Sequence, residues 1–137
     1  MHQVLIERDR PDYRVFIELL YGFGRNVDTE GNSNPVNSRT WNRLYIKDRE
    51  STDPSVEVSP CDSNPALLEI TSASDKLEEL VALYLLISSG TSLLANGLAL
   101  SRTEIDQLSA THQEALIRAE QSIWHKSSDE LPYPNLA

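Results

Sequence analysis

The sequence predicts an α+β fold, in which a small, mostly antiparallel sheet of three to five strands is covered by two to four helices. Between residues 41 and 71, three short segments that alternate apolar and polar residues follow one another through short turns. Longer segments with apolar residues at helical spacing stand before and after them. Because 137 residues suffice for about one domain, we expect a single domain over residues 1–137.

The N-terminal part is predicted to contain one strand and one helix. Residues 4–6 form a short first strand, and a helix begins near Asp9, which can cap it ahead of a proline. Apolar residues at helical spacing continue to Leu20, and Gly22 ends the helix. A strand over residues 15–19 is the alternative, because β-branched and aromatic residues are frequent there.

Two segments show no regular pattern. Residues 25–40 contain four asparagines, one glycine and one proline, which indicates a flexible, exposed loop. Residues 126–137 contain two prolines, and we expect an irregular tail there.

The central part is predicted to form an antiparallel meander followed by a helix. Its strands cover residues 41–47, the alternating pair Val56 and Val58, and residues 66–71. The helix begins after Ser72 or Ser74, has acidic residues in its first turns and is apolar over most of its surface up to Gly90. We expect this helix to cover the sheet.

The C-terminal part is less uniform. Asn96-Gly97 between apolar residues is a hairpin-turn signal, and a final strand that ends near Ala95 fits the same pattern. Ser101 and Glu104 match a capping box at a helix start, and Thr111 and Glu114 repeat the spacing before a longer helix.

Charge is distributed unevenly along the chain. Its net charge is −9, and residues 1–50 contribute nothing to it because they have eight acidic and eight basic side chains. Residues 51–137 have thirteen acidic and four basic side chains. This balance disfavours binding to nucleic acid or to an anionic membrane and favours a basic protein partner. Ordinary solubility charge on exposed faces explains the same numbers equally well.

No motif for catalysis, a cofactor or a metal stands out. The chain has one cysteine, Cys61, so it can form no internal disulfide. Its three histidines show no metal-ligand spacing, and the acidic segment 28–34 lacks the glycine position of a calcium loop. We also find no signal-peptide pattern and no apolar run near the roughly 20 residues of a membrane span. The sequence therefore predicts no cofactor, no metal site and a cytoplasmic location.

The acidic side chains near the meander and the second helix are the candidate partner-binding residues. A cluster of them could imitate a phosphate backbone or occupy a basic groove, and a tyrosine could anchor it. The candidates are Asp48, Glu50, Asp53, Glu57, Asp62, Asp75, Glu78, Glu79 and Tyr45.

These observations predict an acidic protein-binding module. In its most concrete form it is an immunity or inhibitor protein that blocks the active site of a basic toxin, for example a nuclease. One alternative is a small enzyme with an unrecognised site built from groups such as His112, Asp48 and Cys61. Another is a structural or adaptor subunit, which would expose an apolar patch. The oligomeric state is left open by the sequence.

Overall fold

The computed structural model describes residues 1–23, 27–28, 38–49, 52–128 and 130–131. The strands are β1 His2–Ile6, β2 Val27–Asp28, β3 Leu44–Asp48, β4 Val56–Cys61, β5 Asn64–Ser72, β6 Gly90–Ala95 and β7 Leu98–Ala99. The helices are α1 Arg14–Tyr21, α2 Asp75–Ser89, α3 Arg102–Thr111 and α4 Gln113–Glu120, followed by a 3-10 helix, Ile123–Lys126. Most of the predicted loop 25–40 and of the predicted tail 126–137 lies outside the described residues.

The described strands form one open antiparallel sheet in the order β2-β3-β4-β5-β1-β6-β7. The α+β class is therefore confirmed. The expected number of three to five strands is wrong, because six strands are present besides the two-residue segment β2. The first strand lies at the centre, where Val4 pairs with Leu68 of β5 and with Leu93 of β6. Strands so distant along the chain leave no local signal of their pairing.

The predicted meander and the predicted hairpin turn are both present. Strands β3, β4 and β5 pair in succession, although β3 begins at Leu44 rather than at Trp41. Strands β6 and β7 form a hairpin through Asn96 and Gly97, whose φ angles are 51° and 83°. Positive φ at both central residues is what a type I′ turn requires, and asparagine followed by glycine supplies it at little steric cost.

The first two helices occur where helical spacing predicts them. Residues 15–19 are helical, so the alternative strand there is wrong. Helix α1 begins later than expected, because the carboxylate of Asp12 accepts a hydrogen bond of 2.9 Å from the Arg14 backbone N–H. Helix α2 is capped by Ser74, whose Oγ accepts from the Leu77 N–H at 3.2 Å. Its 15 residues lead directly into β6 at Gly90.

The C-terminal helices differ in their caps. Ser101 and Glu104 form the predicted capping box, with both hydrogen bonds present. The second predicted capping box is wrong, because the Thr111 hydroxyl donates to the Gln107 carbonyl and His112 stands at the N-cap of α4 without a side-chain hydrogen bond to the helix. Within the described ranges, no helix has the length and apolar character needed to cross a bilayer.

The core lies between one face of the sheet and helices α1 and α2. Helix α2 packs on β1, β5 and β6, and α1 packs on α2 and α4. The ring of Phe16 is enclosed edge-on by Trp41 and Tyr84, with ring centroids 5.5 Å away in both cases. The strands contribute the buried apolar side chains Val4, Leu44, Ile46, Val56, Val58, Leu68, Ile70 and Leu93, all from the same face.

Candidate functional site: the open face of the sheet

The other face of the sheet has no fully buried side chain among the described residues. Cross-strand pairing places the members of this open face together, because directly paired residues of an antiparallel sheet point to the same side. We define the open face as Gln3, Leu5, Tyr45, Lys47, Glu57, Ser59, Leu67, Glu69, Thr71, Ser92 and Leu94. These side chains are half-buried or exposed, so this face is available to a partner.

The middle of the open face is apolar. Leu5 of β1 is paired with Leu67 of β5, and Leu94 of β6 is diagonal to Leu5, since Ser92 is the direct partner of Leu5 there. All three leucines are half-buried. Diagonal neighbours lie about 7–8 Å apart, which long side chains can bridge, so these leucines form a small apolar centre.

Acidic and polar side chains surround this apolar centre. The carboxylate of Glu69 accepts a hydrogen bond of 3.2 Å from Gln3 Nε2, which fixes its position over β1. Glu57 of β4 is exposed and lies between Tyr45 and Thr71 in the cross-strand register. The single lysine of the face, Lys47, donates through Nζ to the backbone carbonyl of Asp53 at 3.1 Å.

The hairpin formed by β4 and β5 concentrates negative charge. Residues 56–72 contain Glu57, Asp62 and Glu69 but no lysine or arginine. Asp62 is exposed in the turn of this hairpin. The open face therefore presents an apolar centre beside a hairpin whose own charged side chains are all acidic.

Several predicted partner-binding residues are placed elsewhere. Asp53 and Asp75 are exposed near the end of the hairpin where Val56 pairs with Ser72, whereas Asp62 lies at its other end, so these acids do not form one patch. Glu50 lies outside the described residues. Tyr45 and Glu57 are the two predicted residues that the structure brings together on the open face.

Two of the predicted acids have structural contacts inside the protein. Glu78 is buried, accepts from the Ser72 backbone N–H at 3.1 Å and is hydrogen-bonded to His2 Nδ1. Glu79 is hydrogen-bonded to His112 Nε2 at 2.6 Å. These contacts join helix α2 to β1 and to the junction of α3 and α4.

Asp48 is buried at the end of β3, close to the Tyr21 phenol. Burial of the phenol, together with the negative charges of Asp48 and Asp53, raises the pKa of Tyr21 to about 12. Tyr21 therefore keeps its phenol proton to a higher pH than an ordinary tyrosine does.

The raised pKa of Tyr21 predicts a loss of stability at alkaline pH. The folded state holds the phenol proton more tightly than the unfolded chain, whose pKa is about 10. The contribution of the protonated Tyr21 phenol to the free energy of unfolding is thus fully present below about pH 10. It is lost as the pH rises towards about 12. Urea unfolding at about pH 8 and about pH 11 should show a smaller decline for Tyr21→Phe than for the wild type. Equal declines would contradict this assignment.

The residues proposed for an enzymatic site lie in different parts of the fold. His112 is held by Glu79 in the helical layer, whereas Cys61 lies at the tip of the β4–β5 hairpin, with its Sγ 3.2 Å from Ser63 Oγ. In the ranges that the structure covers, no three His, Cys, Asp or Glu side chains converge so as to hold a metal ion.

Sequence reasoning missed the apolar centre and Glu69, although a signal for part of it was present. Leu68 and Ile70 alternate with Leu67, Glu69 and Thr71 along β5, so one set had to face away from the core. No family model, no curated protein and no solved structure matches this chain.

Proposed function

We propose that this chain is a protein-binding module that binds a basic protein through the open face of its sheet. In the most concrete form of the proposal, it is a cytoplasmic immunity or inhibitor protein that blocks the active site of a basic toxin such as a nuclease. The observation that carries the proposal is the combination of an accessible apolar centre with the acidic β4–β5 hairpin on one face.

The composition of the open face supports protein binding. Protein interfaces combine a desolvated apolar or aromatic centre with a polar rim. Leu5, Leu67 and Leu94 supply such a centre, and Tyr45 supplies an aromatic ring with a polar end, a residue type frequent among strong interface contacts. A face used only for solubility would not need three leucines at neighbouring positions of three adjacent strands.

The charge of the face supports a basic partner. Glu57 and Glu69 occupy diagonal positions on adjacent strands, because Ser59 is the direct partner of Glu69. Diagonal neighbours are about 7–8 Å apart, so the two carboxylates can engage separate arginine or lysine side chains. The net charge of −9 adds long-range attraction, which accelerates association at low salt.

The test is charge reversal on the open face. The immobilised protein is used to capture partners from an extract of its native host, and the captured protein is identified and purified. Its affinity is then measured by calorimetry against the wild type and against Glu57→Lys combined with Glu69→Lys. We expect the double variant to bind at least about tenfold more weakly, with a smaller dependence on salt.

The matched control reverses two exposed acids in the helical layer, Asp75→Lys and Asp106→Lys. It makes the same change in net charge, so an effect of total charge alone would weaken both double variants equally. That outcome, or an unchanged affinity of the open-face variant, would refute the proposal. For the inhibitor form, the captured protein should have an enzymatic activity that the wild type suppresses and the open-face variant suppresses less.

A further inference from the structure

A pocket of about 370 Å³ lies in the helical layer, away from the open face. It is formed by the start of α2, by α4 with the residues that precede it, and by the end of α1. Its lining includes Leu20, Lys76, Leu77, His112, Glu114 and Arg118. The volume is in the range of sites for small molecules.

His112 is the most constrained polar group of this pocket. Its side chain is 8% exposed, and its Nε2 atom lies 2.6 Å from Glu79 Oε1. When the ring is neutral and donates its Nε2 proton to this carboxylate, Nδ1 is a hydrogen-bond acceptor. Nδ1 has no hydrogen-bond partner among the described residues and is not one of their enclosed, unsatisfied atoms. His112 lines the pocket, so in the neutral ring Nδ1 is an acceptor held in place by the bond to Glu79.

Arg118 is a second oriented group. Its Nε and Nη2 atoms donate to the Glu18 and Leu19 carbonyls at 2.5 and 2.7 Å, at the last turn of α1. These bonds hold the guanidinium in place and leave Nη1 for another acceptor. Lys76 is exposed on the first turn of α2 and contributes a second positive charge to the same pocket.

The remaining lining groups balance these cations. Glu114 contributes a carboxylate, so the pocket has side chains of both signs besides the His112–Glu79 pair. Leu20, Leu77 and Ala115 contribute apolar surface. This balance fits neither a simple anion nor a simple cation, and it does fit a small molecule with both charges and an apolar body.

We propose that this pocket binds a free α-amino acid with an aliphatic side chain, in its zwitterionic form. The ligand carboxylate accepts hydrogen bonds from Arg118 Nη1 and Lys76. The ligand ammonium donates to His112 Nδ1 and lies beside Glu114. The aliphatic side chain contacts the apolar lining.

The test is a titration of the ¹⁵N-labelled protein with L-leucine, followed by NMR. We expect amide shifts in the first turn of α2 and in α4. Two fragments of leucine measure the contributions of its two charged groups to the affinity. The fragment 4-methylpentanoate lacks the ammonium, and 3-methylbutylamine lacks the carboxylate. Each should bind about tenfold or more weakly, since each loses a charge-assisted hydrogen bond. A fragment that binds as tightly as leucine would overturn the assignment of a zwitterion.

Variants connect the binding to the named side chains. Lys76→Ala removes an exposed side chain and should lower the affinity for leucine about tenfold, whereas Lys126→Ala, an exposed lysine outside the pocket, should leave it unchanged. His112→Gln should also weaken binding, with the dispersion of the amide spectrum as the check that it folds. The absence of shifts at about 10 mM leucine, or equal binding by Lys76→Ala and the wild type, would overturn the proposal.

Discussion

Replacing Asp12 with alanine is expected to lower the free energy of unfolding by about 3–5 kcal/mol. The Asp12 side chain is fully buried, and its carboxylate accepts from the Arg14 backbone N–H, from Arg14 Nε and Nη2, and from Ser127 Oγ. Arg14 is itself 7% exposed, and its guanidinium lies 3.9 Å from the centre of the Trp124 ring. Without Asp12, a buried positive charge loses its counter-ion.

Urea unfolding measures this effect, and Asp9→Ala is the matched control because Asp9 is an exposed aspartate in the same segment. The control should change the free energy of unfolding by less than about 0.5 kcal/mol. A further comparison is Asp12→Ala combined with Arg14→Met, which removes both charges. Its loss should be smaller than the sum of the two single losses, because each single variant already removes the hydrogen bonds between these two side chains. Strict additivity would contradict the view that the two side chains act as a pair.

Replacing Phe16 with alanine should cost a similar amount, about 3–5 kcal/mol, for a different reason. Phe16 is fully buried and touches Trp41 and Tyr84 edge-on, so it joins α1 to α2 and to the segment before β3. Truncation removes these contacts and leaves a cavity that the flat neighbouring rings cannot readily fill.

Phe23→Ala makes the same chemical change at a side chain that is 60% exposed. In thermal and urea unfolding, the free energy of unfolding of Phe23→Ala should therefore lie within about 1 kcal/mol of the wild-type value, unlike that of Phe16→Ala. Equal losses for both variants would mean that Phe16 is not part of the packed core.

Helices and turns that depend on the local residue pattern could be predicted from the sequence. The pairing of strands that are distant along the chain could not. Helix α2 follows from its apolar spacing and from Ser74, and the β6–β7 turn follows from Asn96 and Gly97. The Thr111 capping box was wrong although its spacing is correct, because Thr111 is the last residue of α3 and His112 is the N-cap of α4. A sequence motif indicates which capping hydrogen bonds can form, but the positions at which the helices end decide which of them do form.

The candidate site shows the same division. Glu78 has the sequence context of an exposed acid in a first helical turn, yet it is buried because His2 and the Ser72 backbone lie next to it in the fold. Tyr45 and Glu57 were predictable as neighbours, since consecutive strands of a meander pair. The apolar centre was not, because it needs Leu5 and Leu94 beside Leu67, and these come from three distant segments.

The central position of β1 has a consequence for synthesis on the ribosome. His2–Ile6 is made well before both of its neighbours, Asn64–Ser72 and Gly90–Ala95. At roughly 5–20 residues per second, the nascent chain carries an apolar strand with two open edges for several seconds. This strand therefore waits for two later segments of the chain before its backbone hydrogen bonds can form.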